Sequence, residues 1–200
     1  MIMYGASGHG KVILEILESM SEPNIQVWDD GDKANMWEYK IQKPAPAGTP
    51  VEDKLVISIG ANATRKRVAE RLAPQVSFGT AIHADAFISK RATIAEGTVV
   101  MAGVRINPDV TVGKHCIVNT CASIDHDCVL EDFVHISPNA TLSGNVTVGE
   151  GTHVGAGASV IQGIKIGKWC TIGAGAAVIR DIPDYATAVG CPAKVIKTKQ

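Results

Sequence analysis

Between residues 82 and 178 an aliphatic side chain recurs at every sixth position. The series begins Ile82, Ile88, Ile94, Val100, Ile106, Val112 and runs unbroken through Leu130, Leu142 and Ile166 to Val178. Ile, Val and Leu make up about a quarter of the chain. Seventeen such positions in succession would arise by chance with a probability on the order of one in ten billion. The fourth residue after each is small or β-branched, as in Ala86, Thr98, Cys116, Ala122, Cys128, Val134, Cys170 and Ala176. A period of six is a multiple of the strand period and fits a helix poorly. It predicts short strands with a turn in every hexapeptide, the aliphatic residue pointing inward and the smaller one set near the turn. Three such strands make a triangular coil of about eighteen residues, and coils stack at roughly the 4.8 Å strand spacing. Between five and six coils are expected, with no insertion breaking the register.

Residues 1–75 follow another pattern. Met1 to Tyr4 reads as a short strand, Gly5-Ala6-Ser7-Gly8-His9-Gly10-Lys11 as a glycine loop, and Lys11 to Met20 as a helix with Ile13, Ile16, Leu17 and Met20 on one face. Ile25 to Trp28 is a second strand ending in Asp29-Asp30. A polar, Pro/Ala-rich connection runs from Gly31 to Pro50. Leu55 to Ile59 is a third strand, followed by Gly60-Ala61-Asn62 and a basic helix from Thr64 to Leu72. This order, βαβ and then βα, predicts a small Rossmann-like half. The chain therefore divides into a nucleotide-binding unit (1–75), a β-helix (76–184) and a C-terminal tail (185–200).

Composition narrows the function. The net charge is -1, so no basic surplus exists to neutralise a phosphate backbone, and nucleic acid is not an expected partner. Cys116, Cys121, Cys128, Cys170 and Cys191 form no CxxC pair, and three of them fall on the small core-facing position. Structural thiols in a reducing cytosol are the expectation. No basic n-region with an apolar run and no spanning segment is present, so no membrane partner is expected and a cytoplasmic location is.

Two clusters carry candidate chemistry. The glycine loop can present backbone N–H groups to phosphate at a helix N-terminus, and Asp29 follows Gly10 by nineteen residues, where an acid meets a ribose or base. A plain tight turn would use the same glycines. His126 lies in Ser123-Ile124-Asp125-His126-Asp127-Cys128, at the turn of a coil and between two carboxylates. An adjacent acid fixes the imidazole tautomer and raises its basicity. An exposed turn histidine with two solubilising acids reads the same. His115 and His83 read as surface residues, and His153 stacks one coil after His135.

YGASGHGK, then DD, then SIGANATRKRV, then an uninterrupted hexapeptide prism, resembles the bacterial nucleotide-amino-sugar N-acetyltransferases, along nearly the whole chain. The resemblance implies a left-handed parallel β-helix, three subunits side by side as a homotrimer, and active sites in the grooves between them. It implies acetyl-CoA as co-substrate and a nucleotide-linked amino sugar as acceptor. In the most similar group the acceptor is the 4-amino group of a UDP-linked 4-amino-4,6-dideoxy sugar, although the base (uracil, thymine or guanine) is open here. By the same resemblance Gly8, His9, Gly10, Asp29, Asp30, Gly60, Asn62 and Arg65 hold the nucleotide. His126 is the general base, and Asp127, or else Asp125, orients it. His135 lies at the thioester carbonyl. Gly144, eighteen residues after His126, lets the pantetheine chain approach. Ala156 and Ala174 line the groove, and Lys194 in Gly190-Cys191-Pro192-Ala193-Lys194 meets a coenzyme A phosphate or caps the prism. Sialic acid O-acetyltransferases share this architecture and stand as the alternative. Zinc-bearing prisms use histidines about five residues apart; the intervals here from His115 are 11, 9 and 18, so no metal is expected.

Overall fold

The computed structural model describes residues 1–198. Seventeen two-residue strands run from Ala81–Ile82 to Ala177–Val178. They form three parallel sheets that close a triangular prism. A first sheet runs from Phe87–Ile88 to Ala177–Val178, a second from Thr93–Ile94 to Lys165–Ile166, and a third from Ala81–Ile82 to Thr171–Ile172 and beyond. Pairing is in register every eighteen residues, Ile106 on Ile124 and Ile124 on Leu142.

The aliphatic series fills the axis together with the small series, including the thiols Cys116, Cys128 and Cys170. Each fully buried aliphatic side chain contributes about 1.5–3 kcal/mol relative to exposure. Ile82, Ile88 and Ile94, in the first coil, are only partly buried, because no coil precedes them. The corners repeat too. Fourteen successive positions at period six, Gly97 to Gly175, hold a left-handed backbone; eight are not glycine, Asp127 (φ 59) among them.

The N-terminal unit is a five-stranded sheet with two helices. Its elements are β1 (Ile2–Tyr4), α1 (Gly8–Ser19), β2 (Gln26–Trp28), β3 (Asn35–Met36), β4 (Tyr39–Gln42), β5 (Leu55–Ile57) and α2 (Asn62–Leu72). The strand order is β3-β4-β2-β1-β5, parallel except for the β3–β4 hairpin. That hairpin corrects the expectation of a plain connection at 31–50: Met36 and Ile41 bury their side chains, too little apolar pattern to mark a strand. Both helices start earlier than expected, inside their glycine turns. Met20, expected on the buried face of α1, caps the helix and is 37% exposed.

The unit sits on the outer face of the third sheet. The outward residues there are Ala81, Val99 and Ile117, buried with Met3, Ile13 and Leu17 of the N-terminal unit. Elsewhere the outward position is mostly polar, as in Thr111, Thr141 and Thr171. An apolar outward residue every eighteen positions is the sequence signal for this docking face. The expected tail is largely prism: Ala186–Val189 extends the third sheet parallel to Thr171–Ile172, and Lys194–Thr198 folds back antiparallel on it. Lys199 and Gln200, the end of the expected tail, lie outside the described residues.

Candidate active site

His126 stands at the corner between the first and second sheets. Its ring Nδ1 lies 2.7 Å from Asp127 Oδ2. Its backbone N–H donates to Asp125 Oδ1 at 2.8 Å, an oxygen that also accepts from Asn107 Nδ2 at 2.7 Å. Two adjacent acids thus do different work. The left-handed backbone at Asp127 turns its side chain back to the ring, whereas Asp125 is pinned by the coil above and by the main chain. The hydrogen bond to Asp127, with the charge of Asp125 behind it, raises the His126 pKa above the ordinary histidine value.

Gly144 lies one coil on, directly against the imidazole. A Cβ there would come within 2.6 Å of His126 Cε1 and 2.7 Å of Nε2. A side chain at 144 would thus displace the imidazole, an addition to the reason expected from the chain. Ala156 and Ala174 are exposed and stack one coil apart at a different corner, between the third and first sheets. Lys194 begins the exposed final strand.

The nucleotide-site expectations divide. A cavity of about 480 Å³ opens beside β1 and is lined by Tyr4, Gly5, Ser7, Asp29, Asp30, Ile59, Thr64, Arg67, Val68 and Arg71. Helix α1 enters it with no side-chain cap and no acid in its first turn, so the N–H groups around Gly8 are free for an anion. Asp29 accepts Ala6 N–H at 2.6 Å and Gly31 N–H at 2.7 Å, which ties the glycine loop to the end of β2. Each oxygen keeps a second lone pair. Asp30 accepts from the Tyr4 hydroxyl and pairs with Arg71 at 3.2 Å. Burial, with the bond to Asp30, pushes the Tyr4 phenol up to about 12.

Five expected contacts lie elsewhere. Gly60, with Asn62, lines a separate pocket of about 410 Å³ beside His135, His153 and Trp169. Arg65 is buried, and all of its bonds go to acceptors of the chain: Nε to His115 O at 2.8 Å, Nη1 to Ile59 O and Gly60 O, and Nη2 to Asn62 Oδ1 and Phe133 O at 2.9 Å each. Asn62 Nδ2 donates across to Gly151 O at 2.9 Å. These two residues clamp the N-terminal unit to the prism and have no donor left for a nucleotide. Gly10 is needed for packing, since a Cβ there would sit 2.4 Å from Gly5 O. His9 turns away from the cavity, with its ring 6.4 Å from His135. Arg67 and Arg71 line the cavity instead. Their i, i+4 spacing on the basic helix was the available signal.

His135 lies in the third sheet under the N-terminal unit. It stacks on His153 at 4.6 Å, and its Nε2 is 3.1 Å from Asn119 Nδ2. Burial lowers its pKa to about 3 and that of His9 to about 4. His115 corrects the surface expectation: it is buried, stacked on Phe133 and edge-on to Phe78. Among the described residues, no group of three or more His, Cys, Asp or Glu could hold a metal ion. No helix there is long and apolar enough to cross a membrane.

Residues 1–72 match the PglD N-terminal domain, and residues 127–162 and 145–180 match the bacterial transferase hexapeptide model of six repeats. A UDP-N-acetylbacillosamine N-acetyltransferase of Bacillus subtilis is 46% identical over 104 residues, 46% of this chain and 46% of that protein. The match thus spans about half the length of this curated relative. The acetyltransferase domain of PglB from Neisseria gonorrhoeae, solved with acetyl coenzyme A, is 36% identical, with 98% of both chains covered and a TM-score of 0.93. A mutant perosamine N-acetyltransferase from Caulobacter crescentus, solved with CoA and GDP-perosamine, is 34% identical, with 98% of this chain and 96% of that one covered and a TM-score of 0.91. With two such relatives matched from end to end, the chain belongs to the hexapeptide-repeat sugar N-acetyltransferases that begin with a PglD N-terminal domain.

Proposed function

We propose that this protein transfers acetyl from acetyl-CoA to the 4-amino group of a nucleotide-linked 4-amino-4,6-dideoxy sugar. His126 is the general base, and UDP is the nucleotide first to be tried. The observation that carries the reading is the exposed His126–Asp127 pair at 2.7 Å with Gly144 beneath the ring. Asp127 accepts the proton on Nδ1, so Nε2 faces outward with its lone pair free. Nε2 can then take a proton from the attacking amine as the N–C bond forms. Bound acetyl-CoA supplies the thioester carbon. The phosphates of the acceptor meet the uncapped N-terminus of α1, with Arg67 and Arg71 beside it.

The same geometry supports a homotrimer. His126 occupies the corner opposite the third sheet, which carries the N-terminal unit and His135. Ala156 and Ala174 stand at yet another corner. One chain therefore cannot gather the expected base, nucleotide cavity and coenzyme groove, whereas a neighbouring copy can bring its third-sheet side to this corner.

The test is free-thiol release from acetyl-CoA with UDP-, dTDP- and GDP-linked 4-amino sugars. Turnover with one of them supports the reading and identifies the nucleotide. Silence with all of them, and turnover of a hydroxyl acceptor such as sialic acid, would replace it.

Two further outcomes are expected. Gly144→Ala forces the imidazole to move, and an ångström of misplacement costs about 10²-fold in rate. The thermal melt should stay close to that of the parent. An unchanged rate would show that the ring position does not matter. Asp127→Asn removes the largest cause of the raised His126 pKa. The base works only when neutral, so activity falls as the pH drops through that pKa. In the variant the acid limb of kcat/KM should shift to lower pH even as the plateau falls. A limb that stays in place would remove Asp127 as the partner of His126.

A further inference from the structure

In the mechanism above Asp125 acts only through its charge, which helps to raise the His126 pKa. Its Oδ1 is doubly held, by Asn107 Nδ2 at 2.7 Å and by the His126 N–H at 2.8 Å. Among the described residues Oδ2 accepts no hydrogen bond, and the side chain is half-exposed at the corner that carries the base. The two donors on Oδ1 lower the pKa of the carboxyl, so it stays ionised at neutral pH. A carboxylate fixed by one oxygen and open at the other is a pure acceptor.

We propose, resting on the N-acetyltransferase reading, that Asp125 Oδ2 accepts one N–H of the acceptor amine while His126 Nε2 accepts the other, and that this pair selects amines over hydroxyls. Asn107 is the positioning residue that holds Asp125 for this. The selection follows from donor counts. A neutral amine has two N–H donors and one lone pair. Both donors are then engaged at the corner, and the lone pair is left to attack the thioester carbon. The N–C bond forms, the C–S bond breaks, and His126 Nε2 takes one amine proton and returns it to the departing thiolate. A hydroxyl has one donor. If that goes to His126, Asp125 Oδ2 faces an oxygen lone pair with nothing to accept. Once the bound acceptor covers the corner, an oxygen left there without a donor is costly, and sites built around such bonds discriminate strongly against analogues that lack the donor.

The experiment compares kcat/KM for the nucleotide-linked 4-amino-4,6-dideoxy sugar and for its 4-hydroxyl counterpart, in the parent protein, Asp125→Asn and Asn107→Ala. Asparagine at 125 can keep both bonds on Oδ1 and places a donor where Oδ2 stood. We expect Asp125→Asn to lose about 100-fold more on the amine than on the hydroxyl, beyond the loss on both that follows from a less basic His126. Asn107→Ala should lose less, in the same direction, and the thermal melts should be unchanged. Should Asp125→Asn not fold, the amine-to-hydroxyl ratio in Asn107→Ala decides. Equal losses on both acceptors, or no loss on either, overturn the proposal and leave the N-acetyltransferase reading intact. No thiol release by the parent protein with any amino sugar overturns both.

Discussion

Replacing His126 with alanine is expected to lower acetyl transfer by about 10²–10⁴-fold, the usual weight of a positioned general base. The fold should be untouched. The imidazole is exposed, its one side-chain partner is the adjacent Asp127, and the backbone bonds of the corner do not need the ring. Asn145 N–H still donates to the carbonyl of residue 126, and the residue 126 N–H still reaches Asp125. Rate and stability therefore separate cleanly in this variant. Thiol release under saturating acetyl-CoA, read beside a thermal melt, checks both. A variant that melts normally and retains more than a tenth of the rate would mean that the amine loses its proton without help from this side chain.

Replacing Arg65 with alanine should produce the opposite split, a large loss of stability from a residue outside the site. The guanidinium lies between two units and is bonded to Ile59, Gly60, His115 and Phe133 carbonyls and to Asn62. Among the described residues it has no carboxylate partner. Burial lowers its pKa to about 10, so it remains charged at neutral pH. Its positive charge also helps to hold His9, His115, His135 and His153 neutral, second to burial or further down among the causes. Truncation leaves several buried carbonyls unpaired and opens a cavity between α2 and the prism. Breaking buried charged networks of this kind costs roughly 3–5 kcal/mol. At about 2–4 °C per kcal/mol for a chain of this size, the melting temperature should fall by roughly 10 °C. Arg65→Lys should recover a minority of this, since one ammonium cannot reach acceptors on both units. A melt within about 2 °C of the parent would show that the clamp does not hold the units together.

Because the clamp and the catalytic corner share no side chain, the two variants should combine additively in stability. Arg65→Ala would affect turnover only as far as the N-terminal unit shifts on the third sheet. Such an effect should appear in KM for the nucleotide sugar before it appears in kcat.

The prism could be read from the chain because its rule is local and repeats. Each hexapeptide turns in the same way, so whether a residue faces in or out depends only on its place in the six. Burial of Ile106, Ile124 and Leu142 follows without knowledge of any distant contact. His126 at a corner, with acids on either side, was visible for the same reason. Three things were decided only in three dimensions. Which acid meets the ring depended on the left-handed torsion at Asp127. Which face of α2 meets the cavity depended on how the helix packs, so Arg67 and Arg71 line it while Arg65 is buried. His115 became a core residue because Phe78, in the segment that joins the two units, packs edge-on against it and Phe133 stacks on it. The places of the expected coenzyme contacts were legible too: Gly144, eighteen residues after His126, shares its corner, whereas His135, nine residues after it, lies on the opposite side of a coil of eighteen. Sequence spacing sets the direction of a side chain relative to its own backbone; what it meets there is set by whichever segment packs against it.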